Sequence, residues 1–222
     1  MNRFFDIPSD LQHSWAGLIG LHLREALLPV LAGLLLALPL AQLCVRLRWL
    51  YAPVLAVTTV LYAIPSLAFF VVLIDYTGQS ELTVMIPLTV YTLVVLVPAI
   101  VDGVRSVPPE TLAAAEAMGF GPLRRYAQVQ LPIAVPAIIA GLRVATVSSI
   151  SLVSVGMLIG NQGALGNLLH DASIYNRPEL AWNAVLTMAA LAVLADAALV
   201  AVRALLTPWM PRGAHSGKDN GR

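Results

Sequence analysis

Uncharged runs of membrane-spanning length constrain this chain more than any other feature. Twenty residues, 26–45, separate Glu25 from Arg46 without a charge. Arg48 and Asp75 enclose a second run, 49–74, and Glu81 and Asp102 a third, 82–101. Residues 132–159 form a fourth, interrupted only by Arg143, and 180–202 a fifth, with Asp196 towards its end. A helix needs roughly 20 apolar residues to cross the hydrocarbon core, and a charge near the centre is costly. The gaps between charges therefore predict an all-α membrane protein with five transmembrane helices. Composition agrees, since 11% of residues are charged where soluble domains carry about a quarter.

An odd number of spans puts the termini on opposite sides. With the N-terminus outside, the inner segments hold nine basic residues: Arg46, Arg48, Arg105, Arg124, Arg125, Arg203, Arg212, Lys218 and Arg222. The outer segments hold three, Arg3, Arg24 and Arg177. Basic residues accumulate on the cytoplasmic side, so the expected topology is N-terminus outside and C-terminus in the cytoplasm. Residues 1–20 then read as an extracytoplasmic segment, 21–210 as the transmembrane domain and 211–222 as a flexible cytoplasmic tail. No removable signal peptide is expected, because the N-terminus MNRFFDIPSDLQ lacks a basic start followed at once by an apolar stretch and a small-residue cleavage site.

Prolines recur inside the runs, at 29, 39, 53, 65, 87 and 98. Such kinks are tolerated where neighbouring helices satisfy the freed carbonyls. They suit either ordinary bundle packing or helices that bend around a pathway. Gly156 and Gly160 form a GxxxG pair of the kind that lets helices approach.

The longest inner connection, 102–131, has its own pattern. Pro108-Pro109-Glu110 suits a helix start, and 112–118 is rich in helix formers. Gly119-Phe120-Gly121-Pro122 stops that helix, and a second is expected over 123–130, with Pro132 ending or kinking it as the fourth span begins. Two short helices at an angle would present Ala113, Ala114, Ala117 and Gly119, small residues that let another surface come close. They either dock a partner or pack on their own bundle.

The spacing of this segment resembles the signature of ABC importer permeases: Glu-Ala-Ala, three residues, Gly, nine residues, Ile, any residue, Leu-Pro. Ala114, Gly119, Val129, Leu131 and Pro132 fall in register, and Ala115 nearly so. Ala113 stands where the family places its Glu; Glu110 and Glu116 lie three residues either side, on the same helix face. Further along, VLYAIPSLAFFVVL (60–73), VPAIVDGVRSVPPE (97–110), LPIAVPAIIAGLRVATV (131–147) and IGNQGALGNLL (159–169) resemble, in order, segments of osmoprotectant permeases of the glycine betaine, choline, carnitine and proline type.

The resemblance implies a permease subunit in the inner membrane, embedded in the lipid bilayer. It pairs with a second permease subunit as homo- or heterodimer, receives substrate from an extracytoplasmic substrate-binding protein and is driven by cytoplasmic ATPase subunits. It also implies that Ala113, Ala114, Glu116, Ala117, Gly119, Leu131 and Pro132 carry the coupling, with Tyr62, Pro65, Ser66 and Arg143 as pathway candidates. Arg143 lies about 16 Å past Pro132 along a helix, where it either lines the pathway or pairs with a polar neighbour. Asp102 and Asp196 read as snorkelling towards the cytoplasmic water. Tyr62, Phe69, Tyr91 and Trp182 are available for cation–π contact with a quaternary ammonium.

Other chemistry finds little support. The single lysine, Lys218, lies in a polar tail, with Arg212 in the place of the first P-loop glycine and Asp219 in that of Ser/Thr. ATP is therefore expected on the partner ATPase, with no cofactor on this chain. His13, His22, His170 and His215 lack metal-ligand spacing, and the +1 net charge offers no basic field for nucleic acid. A methionine-type amino-acid permease is the neighbouring alternative. An ion-coupled secondary carrier is more remote, since five spans without an internal repeat do not divide into inverted halves.

Overall fold

A computed structural model describes residues 15–160 and 164–209. The described residues form helices α1 (Trp15–Arg46), α2 (Arg48–Ala63), α3 (Ser66–Thr77), α4 (Glu81–Arg105), α5 (Pro109–Ala117), α6 (Pro122–Arg125), α7 (Leu131–Val153), α8 (Gly166–Ile174) and α9 (Pro178–Leu206). A π-helical turn, Tyr126–Gln130, joins α6 to α7, and a 3₁₀ turn, Ser154–Ile159, extends α7. Most of the 1–20 segment, the 211–222 tail, His13, His215 and part of the glycine-rich 159–169 stretch lie outside the described residues.

Four helical stretches are long and apolar enough to cross a membrane: α1, α4, Pro122–Ile159 and α9. The second run departs from the expected single helix. It is divided into α2 and α3, which meet at 90°, and neither of these 16- and 12-residue pieces reaches the roughly 20 residues of a full span. The cause is local. The ring of Pro65 disfavours α conformation at the preceding residue, and Ile64 and Pro65 are both extended, with ψ of 125° and 131°. Counted as one span, the bent pair makes a fifth.

The opposite departure occurs at Pro132. No break separates the 123–130 helix from the fourth span; helical dihedrals run through Gln130 and Leu131. A proline in a helix removes a donor and crowds the carbonyl four residues earlier. The π turn widens the ladder just there, the Leu131 N–H reaching back five residues to the carbonyl of Tyr126. Gly156 and Gly160 do not form a helix-packing pair within a span. Gly156 is buried in the 3₁₀ turn, and Gly160 takes the left-handed conformation (φ 79°) that ends it.

Helix α4 is the central element, packed against α1, α2, α3 and α7. Small residues permit the approach, since in a bilayer helices associate through close van der Waals packing rather than a hydrophobic drive. A Cβ on Gly33 of α1 would lie 2.6 Å from Thr92 Cγ2, and one on Gly141 of α7 would lie 2.8 Å from Ala99 Cβ. One core cluster joins α1, α4 and α7 through residues such as Ala37, Leu96, Ile100 and Ile138. A second, towards the opposite end, gathers Ala26, Phe70, Leu88 and Ile150. Helix α9 lies outside, against α7 and α8, and exposes Trp182, Leu186, Val193 and Leu194.

Candidate functional site

Two places stand apart from lipid-compatible packing: the α5–α6 corner and the α2–α3 elbow. The corner is built by its caps. Pro109 opens α5 with Glu110 in the first turn, where an acid complements the helix dipole. Gly119 closes it at φ 79°. Its N–H donates to the Glu116 carbonyl at 2.9 Å, and the Phe120 N–H reaches back to Ala115 at 3.0 Å, the bonding of a Schellman cap. The chain then turns into α6, which is braced onto α5 from its own side. The Arg125 guanidinium meets the Glu116 carboxylate at 3.1 Å, and that of Arg124 lies 4.2 Å from the Phe120 ring centre. Below, the Tyr126 hydroxyl donates to the Leu38 carbonyl of α1 at 3.1 Å.

The structure brings Ala113, Ala114, Glu116, Ala117 and Gly119 together on one exposed corner, with Met118 and Leu123 beside them, 68% and 73% exposed. Leu131 and Pro132 are not part of it. Leu131 packs against the α1–α4–α7 core, and Pro132 occupies the first turn of α7. Of the two acids flanking Ala113, Glu116 is held by Arg125, while no hydrogen bond or ion pair ties Glu110 to another described residue. Arg125 was not legible as that partner, because the pair spans nine residues across a chain reversal.

At the elbow, Tyr62, Pro65 and Ser66 come together with two aromatic residues from either side. The Tyr91 hydroxyl of α4 donates to the Ile64 carbonyl at 2.7 Å, satisfying an acceptor that the break frees. Its ring lies edge-to-face with Tyr62 at 5.3 Å and with Phe69 at 6.0 Å. Trp182 is remote, exposed on α9. Pro65 and Tyr62 are themselves exposed. Irregular backbone at membrane depth is tolerated only where it is buried in protein or lines a watery cavity.

Arg143 belongs to neither place. It forms a two-pronged pair with Asp196 of α9, Nε to Oδ1 at 2.5 Å and Nη2 to Oδ2 at 2.8 Å. Asp196 thus does not simply snorkel; it is anchored across the helix interface. Five residues beyond Arg143, Ser148 lines a hollow beside Tyr62 and Tyr91. At 3.6 residues per turn, that spacing puts the two side chains on different flanks of α7. The pairing had a signal in the sequence: one basic and one acidic residue within otherwise uncharged runs, each costly alone.

A polytopic helical protein with an exposed two-helix corner between spans is the class these features define. The sequence profile of the binding-protein-dependent transport system inner membrane component family matches residues 30–212. The chain belongs to that family and is a permease subunit of an ABC importer, a transport component rather than an enzyme. Among its relatives are the choline transport system permease protein OpuBB of Bacillus subtilis, 26% identical over 84% of this chain and 86% of that one, and the osmoprotectant import permease protein OsmW of Salmonella typhimurium, 30% identical over 84% and 89%. A structure of the MetNI methionine ABC transporter in inward-facing form contains a chain of the same fold, with TM-score 0.75 at 20% identity, covering 85% of this chain and 94% of that one. Membership sets aside the ion-coupled carrier and implies ATPase, substrate-binding and second permease partners.

Proposed function

We propose that this subunit imports an osmoprotectant of the betaine, choline or carnitine class, taking the ATPase stroke at the α5–α6 corner and passing substrate along the α2–α3 elbow. The observation that carries the reading is the exposed corner of 113–119, braced across its Gly119 turn by the Glu116–Arg125 pair onto α6, which runs without a break through the π turn into a membrane-length helix. A push on the corner is transmitted through the Glu116–Arg125 brace to α6, which continues into α7, and Tyr126 links the same base to α1. The nine-to-three basic bias supports a corner on the cytoplasmic side, with five spans and the N-terminus outside. Relatives named for choline, glycine betaine and carnitine support the substrate class; the methionine transporter, at 20% identity, speaks to the fold alone.

The test is purification of the complex with its ATPase. Gly119→Arg places a long cation on the docking face where a Cβ would meet open space; because any side chain at this left-handed position also strains the α5 cap, it is paired with Ala117→Arg at an exposed helical position, from which the same outcome is expected. Loss of ATPase co-purification and of substrate-stimulated ATP hydrolysis is expected. Unchanged association and hydrolysis would show that the corner does not dock the ATPase.

A further inference from the structure

We propose that the aromatic corner of Tyr62 and Tyr91 is a transit site for a quaternary ammonium group, so that the permease itself, and not its delivery partner alone, selects for such cations. The inference rests on the osmoprotectant reading and adds a site within the membrane domain.

Three features carry it. First, the rings are held rather than merely near. Tyr91 is 6% exposed and tethered through its hydroxyl to Ile64, with Phe69 against it on one side and Tyr62 at 78° on the other. Tyr62 keeps 48% of its surface open, so the rings form a corner with an accessible flank. Second, the hollow beside them, between α4 and α7, is lined by no charged side chain. An anion would find no countercharge there, and a metal ion no carboxylate.

Third, three of the five hydroxyls lining the hollow have committed their protons elsewhere. Thr92 donates to the Leu88 carbonyl at 2.9 Å, Ser149 to Ala26 at 2.8 Å and Tyr91 to Ile64 at 2.7 Å. Their remaining polarity towards the hollow is that of oxygen lone pairs. Together with π faces, which are negative at their centres, this makes a weakly negative wall with few donors. A quaternary ammonium has no N–H to satisfy and spreads its charge over its methyl groups, for which aromatic faces are a suitable surface.

The absence of a countercharge also suits transit. A pathway site must bind well enough to admit its ligand and weakly enough to release it. In the conformation described, the hollow is about 20 Å³, room for about one water. The site is therefore closed here, and admits a trimethylammonium group only when the elbow draws away from α4.

The experiment uses the whole complex in proteoliposomes, with binding protein and ATPase, and follows uptake of labelled choline. Tyr62→Phe keeps the ring and its π face and serves as the reference against which the series is read. Replacing that phenylalanine with its mono-, di- and trifluorinated forms drains the π face at nearly constant shape. Uptake is expected to fall stepwise, to about a tenth for the trifluorinated ring, the scale of one desolvated cation–π contact. Equal uptake across the fluorinated series would overturn the site, and because shape is preserved, misfolding cannot mimic the graded loss. Wild-type uptake decides the underlying reading separately. A wild-type complex that hydrolyses ATP for some other substrate but carries no choline, betaine or carnitine would overturn the osmoprotectant reading and the site with it.

Discussion

Glu116 and Glu110 show how little an acid's position says until its partners are known. Both lie three residues from Ala113, and from the sequence either can supply the carboxylate missing there. The structure gives Glu116 to Arg125, so its charge serves the brace between α5 and α6, and leaves Glu110 without a described partner. Glu110→Gln is accordingly expected to weaken ATPase association several-fold in a pull-down at low salt, as loss of a charge at an interface rim does. Glu116→Gln is expected to change thermal stability by less than about 1 kcal/mol, the scale of an exposed ion pair, and to affect association less than Glu110→Gln. A pull-down in which Glu116→Gln is the more damaging variant would reverse the assignment. Ala113, Ala114, Ala117 and Gly119 were legible as one surface because i, i+3 and i+4 spacing within a capped helix is local geometry.

The prolines make the point for elements. Pro29, Pro39, Pro87 and Pro98 sit inside continuous helices, whereas Pro65 separates two helices at a right angle. The residue type is the same, and the outcome depends on what receives the freed backbone groups. At Ile64 the receiver is the Tyr91 hydroxyl, 27 residues away, which no local pattern announces. Pro65→Ala restores a donor and removes the ring that holds Ile64 out of the α region. It is expected to let α2 run on towards α3, and to lower substrate uptake several-fold while the assembled complex still purifies. Uptake equal to wild type would mean that the bend does not depend on the proline ring. Tyr91→Phe provides the converse check. It keeps the ring but strips the Ile64 carbonyl of its partner, which is expected to cost about 1–3 kcal/mol, the penalty of a buried group left unpaired, and to lower the melting temperature in detergent.

For the molecule as a whole, α4 is the post against which the other spans are set, and glycine sets the distances. Gly33→Val puts a branched side chain where even a Cβ would stand 2.6 Å from Thr92. Separation of α1 from α4 is expected, with a loss of about 1–3 kcal/mol from overpacking, seen as a lower melting temperature in detergent and as reduced yield of assembled complex. The Arg143–Asp196 pair is another long-range constraint, closing α7 against α9. Arg143→Asp or Asp196→Arg alone juxtaposes like charges within the spans, so each is expected to lower membrane yield. Combining the two exchanges the charges and is expected to recover part of the loss. If the double exchange is as poor as the single variants, the residues do not act as a pair.

What depends on composition and on neighbours along the chain was readable from the residues alone. Charge-free gaps marked the apolar helices because a bilayer admits few charges, and caps at Pro109 and Gly119 marked α5 because helix ends satisfy their groups locally. Which proline breaks a span, which glutamate is engaged, that Arg143 and Asp196 pair, and that Tyr62, Phe69 and Tyr91 share one corner emerged with the packing of the helices. Each of those outcomes turns on contacts between side chains distant along the chain or across a chain reversal. Spacing along a chain carries helix periodicity, but not the meeting of two helices.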